Sequence, residues 1–106
     1  MLSKSAVAIG ALLTAISVAQ ASEFRIAQKN QEFSQKEISI KVGDTIVFAN
    51  EDNVAHNVFS ASENFEFDSM MQDVGKSSSV RFTKVGVFDI RCAIHHKMKL
   101  KVTVTK

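Results

Sequence analysis

The sequence predicts an all-β fold: an antiparallel sandwich of six to eight short strands packed as two sheets. Three observations carry that prediction. Apolar and polar residues alternate with period two from Glu37 onward, the signature of half-buried strands. Glycine turn signals, "VGD" at Val42–Asp44 and "VGV" at Val85–Val87, interrupt the alternation. The part of the chain with this pattern offers room for several short strands around one core. The chain has no proline, so its turns and edges rest on Gly, Asn and Asp.

Taken in order, a short run "EFRIA" starts the patterned region. "EISIKV" sets Ile38, Ile40 and Val42 on one side. "DTIVFAN" sets Ile46 and Phe48 on one face, with Val47 and Ala49 on the other. "SVRF" alternates through Val80 and Phe82. "VFDIRC" puts Phe88, Ile90 and Cys92 inward and Asp89 and Arg91 outward. "MKLKVTVTK" puts Met98, Leu100, Val102 and Val104 inward. Between Phe59 and Lys76 the alternation fails, and a short helix near 68–73 (Asp68–Asp73) is expected inside a loop. The eight phenylalanines, with no Tyr or Trp, are expected mainly in the core.

Residues 1–21 read as a cleaved signal peptide. Lys4 gives a positive start, Ser5–Ala19 is apolar, and Ala19-Gln20-Ala21 fits the A-x-A cleavage pattern. The apolar run is short for the ~30 Å of a bilayer core. No cysteine stands at the cut, so no lipid attachment and no stable membrane anchor is expected. Residues 22–106 then form one domain, exported to the periplasm and expected to be a monomer. This part carries 12 basic and 11 acidic residues, a balance that excludes the basic footprint of a nucleic-acid binder.

Export makes the one cysteine informative, because thiols in oxidising compartments are usually paired. Cys92 lies in "CAIHHKM", three residues before His95 and six before Met98. Strand parity sets Cys92 and Met98 inward at neighbouring strand ends, with His95 in the loop between. His56, in "NEDNVAHNVF", follows another strand end. One thiolate, two imidazoles and one thioether at one end of a sandwich are the donors of a blue-copper electron-transfer site. His96 competes with His95 for the same role, and the offset from Cys92 favours His95.

On these residues the sequence resembles the cupredoxins, the blue-copper proteins of the plastocyanin and amicyanin type. "VGDTIVFANEDNVAHNV" is similar to the family segment that ends at the first histidine ligand. "VGVFDIRCAIHHKMKLKVTV" is similar to its ligand loop and last strands, with the C-x2-H-x2-M spacing of amicyanins. The resemblance implies a Greek-key sandwich and one copper ion cycling between Cu(I) and Cu(II). It implies His56, Cys92 and His95 as equatorial ligands and Met98 as the axial one. It also implies that Asn57 ties the two ligand loops together, its N–H reaching the Cys92 sulfur. Ile94 and His96 stand where family members carry prolines, which loosens the loop.

The function expected is a periplasmic carrier of single electrons, not an enzyme, with redox partner proteins docking transiently near His95. Copper homeostasis or resistance is the alternative, hinted at by Met70, Met71 and His96, although Met70 and Met71 are expected to pack under their loop. A Cys–His nucleophile lacks an orienting third group, and a structural zinc site would make poor use of methionine. Lys97, Lys99, Lys101 and Arg91 form a one-sided basic row, read as a solvated strand face that also suits an acidic redox partner.

Overall fold

The computed structural model describes residues 20–106. Apart from Gln20 and Ala21, the signal peptide expected over 1–21 lies outside the described residues. Eight strands follow in order: β1 (Glu23–Lys29), β2 (Glu32–Phe33), β3 (Glu37–Lys41), β4 (Thr45–Asn50), β5 (Phe59–Ser60), β6 (Ser77–Arg81), β7 (Gly86–Arg91) and β8 (Lys99–Thr105). One sheet has the order β2-β1-β4-β6 and the other β3-β8-β7-β5.

The alternating side chains meet between these sheets. Ile26, Ile46, Phe48, Phe82, Phe88, Ile90, Leu100, Val102 and Val104 are buried in one cluster. Burying a large apolar side chain contributes ~1.5–3 kcal/mol, so the phenylalanines dominate. The Phe82 and Phe88 ring centroids are 6.3 Å apart, within the range of aromatic packing, and Phe65 covers both at 5.0 and 5.1 Å.

Not every pairing is antiparallel. β1 runs parallel to β4, and β3 parallel to β8. The chain crosses to the second sheet for β3 and returns for β4, which brings β4 beside β1 in the same direction. Parallel neighbours need such a crossover. Gly43 closes the return with φ +97, and the Asp44 N–H donates to the Lys41 carbonyl at 3.0 Å. Val42 sits in this turn and is exposed, not inward as the alternation suggested.

The helix expected near 68–73 is not there; the described residues contain none. The segment is extended and spends its backbone groups on a neighbour. Gln72 and His56 exchange both backbone hydrogen bonds, at 3.0 and 2.7 Å, and the Ser69 N–H donates to Val58 at 2.8 Å. Met70, at φ +61, also leaves helical space. Met70 and Met71 are 71% and 60% exposed, so neither packs beneath the loop.

Candidate metal centre

Two loops meet at one end of the sandwich. β7 stops at Arg91 and β8 starts at Lys99, so Cys92–Met98 is the connection. It closes as a turn, the Met98 N–H donating to the His95 carbonyl at 3.0 Å. The second loop leaves β4 at Asn50, which organises it. The Asn50 side-chain amide donates to Val54 and Gln72 carbonyls at 2.9 and 3.0 Å, and its oxygen accepts the Asp52 N–H at 3.0 Å.

These loops bring three donors together. His56 Nδ1 lies 3.9 Å from Cys92 Sγ and 3.1 Å from His95 Nδ1, and all three atoms fall within 4.8 Å of one another. Nitrogen and sulfur donors ~2.0–2.3 Å from a shared ion stand about 3–4 Å apart. The His56–His95 and His56–Cys92 separations therefore match those of donors sharing one ion. His56 and Cys92 are 0% and 1% exposed, and His95 is half-buried.

The histidine tautomer is set by a carboxylate. His56 Nε2 is 2.9 Å from Asp52 Oδ2. Asp52 also accepts backbone N–H groups from Gln31 and Asn53. The Gln31 bond first, then the His56 bond, holds the Asp52 carboxyl well below the usual range, at about 2. An ionised acceptor at Nε2 keeps the proton there and leaves Nδ1 with its lone pair facing the cluster. A carboxylate behind a ligand histidine orients the ring and raises its basicity. With His56 Nδ1 as acceptor, the proton between the two Nδ1 atoms belongs to His95, and a cation binding there replaces it.

Asn57 joins the loops. Its backbone N–H lies 3.4 Å from Cys92 Sγ. Its side-chain oxygen accepts the Ala93 N–H at 2.8 Å, and its amide donates to Asp68 at 2.8 Å. Met98 is 1% exposed and belongs to the same buried cluster as Cys92. His96 is exposed and lines a hollow with Phe59, Arg91, Cys92 and Ala93, and it is not among the three clustered donors.

Asp52 and Gln72 escaped the sequence reading. Asp52 lies four residues before His56 in "EDNVAH", and that proximity is only a weak signal, since a loop aspartate near a histidine usually faces water. Gln72 had none, because its role depends on a bridge between distant segments. Gln72 Nε2 donates to the Phe48 carbonyl at 2.7 Å, inside the core. The row of Arg91, Lys97, Lys99 and Lys101 is partly neutralised: Arg91 binds Asp89 at 2.8 Å, and Lys101 approaches Glu37 at 3.5 Å.

A family model described as copper binding proteins of the plastocyanin/azurin family matches residues 20–105. Amicyanin-alpha of Methylorubrum extorquens is 32% identical over 103 residues, covering 94% of this chain and 86% of that protein. Amicyanin of Paracoccus denitrificans is 33% identical over 76 residues, covering 69% of this chain and 58% of that protein. The solved Cu(I) form of an amicyanin variant superposes with a TM-score of 0.71 at 26% identity, covering 83% of this chain and 86% of the other.

Proposed function

The chain belongs to the plastocyanin/azurin family of copper-binding proteins, and from that premise we propose that it is a periplasmic type 1 copper protein shuttling single electrons between partner proteins. The observation that carries the reading is the donor cluster, with a thiol and two imidazole nitrogens 3.1 and 3.9 Å apart. His56, Cys92 and His95 would hold the copper, and Met98 would supply a thioether beside them. Copper so bound supplies a one-electron couple between Cu(I) and Cu(II).

The surrounding chain keeps that couple in one arrangement. The Asn57 N–H points at the sulfur, Asp52 fixes the His56 ring, and Gln72 pins the His56 backbone. Donors that barely move keep reorganisation small. Cys92 is shielded from solvent, which argues for a ligand and against a nucleophile. His95 is the half-buried member and offers the electron its shortest way out. Ile94 beside it, together with Val54, is exposed and suits a brief, small contact. The features of residues 1–21 support export to the periplasm.

Rapid mixing of the copper-loaded protein with a small one-electron reductant and then an oxidant tests this. Repeated cycling with copper retained is the expected result, and Ile94→Asp should slow exchange with an apolar-faced partner. A second reading, copper handling, draws on the exposed thioethers of Met70 and Met71. It is favoured if reduction makes the protein surrender copper to a thiolate-rich acceptor faster than it exchanges electrons.

A further inference from the structure

We propose that hydrolysis of the Ala21–Ser22 bond turns the first nitrogen of the fold into a cation seated on the buried Asp44 carboxylate, so that processing itself tightens the copper domain. The proposal rests on the export reading above. It adds a site that the donor cluster does not use, at the β3–β4 turn.

The geometry is already laid out for that cation. The Ser22 nitrogen donates to Asp44 Oδ1 at 2.7 Å. The other oxygen, Oδ2, takes the Lys41 N–H at 2.8 Å. Asp44 is 5% exposed. The Ser22 carbonyl accepts the Thr45 N–H at 3.0 Å, which opens the β1–β4 ladder at the next residue. Gln20 and Ala21, just before, are exposed, so the bond to be cut is accessible. The small residues of the cleavage pattern and the carboxylate's partner are thus the two sides of one peptide bond.

The cut is a simple hydrolysis. The water oxygen joins the Ala21 carbonyl carbon, the C–N bond breaks, and the leader departs with a carboxylate. Both water protons end on the Ser22 nitrogen at neutral pH. A neutral amide donor thereby becomes an ammonium, and hydrogen bonds with an ionised donor are about twice as strong. Among the described residues Asp44 is the only acidic side chain lining the hollow there, whereas Lys41, Arg81 and Lys106 line it with positive charge. Glu23 follows Ser22 and is exposed. The carboxylate is therefore the counter-charge for the new terminus.

The test compares copper-loaded protein that begins at Ser22 with the same protein retaining Ala21. At pH 7 the Ser22 form should melt about 3–6 °C higher, the shift expected for roughly one strengthened bond in a domain of this size. An ordinary α-amino group titrates near 7.7–8.0, and pairing raises that value in the folded state. The gain is then complete below about pH 8 and disappears as pH rises through the raised value. Equal melting temperatures at pH 7, or a gap that does not respond to alkaline pH, overturn the seat on Asp44. The intact mass of protein recovered after export checks the cut separately. A chain starting at Ser22 supports it, and any other first residue overturns the processing step while leaving the melting comparison to report on the site.

Discussion

His56 is gripped on both sides of its ring. One nitrogen meets Asp52 at 2.9 Å and the other faces His95 at 3.1 Å. Removing the carboxylate frees the tautomer and the ring angle without touching a donor. Asp52→Ala should therefore lower copper affinity about 10–100-fold, measured by competition with a chromophoric chelator, while Asp52→Asn, which keeps an acceptor oxygen, should lose less. An unchanged affinity in Asp52→Ala would remove the carboxylate from the account. The cluster of His56, Cys92 and His95 was legible because Cys and His are rare in this chain and Cys92 lies only three residues before His95. Asp52 was not, because a loop aspartate near a histidine usually faces water.

Among the elements, the β1–β2 hairpin links a strand end to the site. Lys29 pairs with Glu32, so only Asn30 and Gln31 turn the chain, at φ 55 and 56. Both positions demand left-handed backbone, which asparagine tolerates and glutamine resists. The Gln31 N–H donates to Asp52, and that bond helps fix the strained turn. Gln31→Gly keeps the N–H and relieves the backbone, and should raise stability by about 1 kcal/mol, read from the urea midpoint with copper affinity unchanged. A lower midpoint would show that the turn is not strained. This hairpin was illegible because Asn-Gln lacks the glycine that marks such turns. The long strands β4, β7 and β8 were legible, since their alternation is set by burial on one face. The segment around Met70 misled for the opposite reason. Its acidic, Met-rich composition suits a helix, but bonding to His56 and Val58 draws its backbone into the extended state.

At the scale of the whole molecule, a small core and a metal share the task of holding the fold. Domains of this size are stable by about 0.05–0.15 kcal/mol per residue, and Phe→Ala in a core costs about 3–5 kcal/mol. Phe82→Ala, at the centre of the aromatic cluster, should remove a large share of the metal-free protein's stability and leave it unfolded in urea that the unaltered protein withstands. Copper at 1,000 times its dissociation constant adds about 4 kcal/mol and should restore far-UV circular dichroism. Failure of copper to rescue it would mean that the site does not couple to folding. Acid provides a second handle, away from the donors. The N–H groups of Ser22 and then Lys41 hold the Asp44 carboxyl below its usual value. Its stabilising share is present above about pH 4, the ordinary carboxylate range, and is lost as pH falls through the lowered folded value. Asp44→Asn should flatten the acid limb of the stability curve, and an unchanged limb would contradict that role.

The central claim is that Cys92 and both imidazoles hold one redox-active copper, and the visible absorption of the oxidised, copper-loaded protein tests it most directly. An intense thiolate-to-copper band, abolished in Cys92→Ser, is the predicted result. A colourless Cu(II) complex, or a band that survives Cys92→Ser, would contradict it.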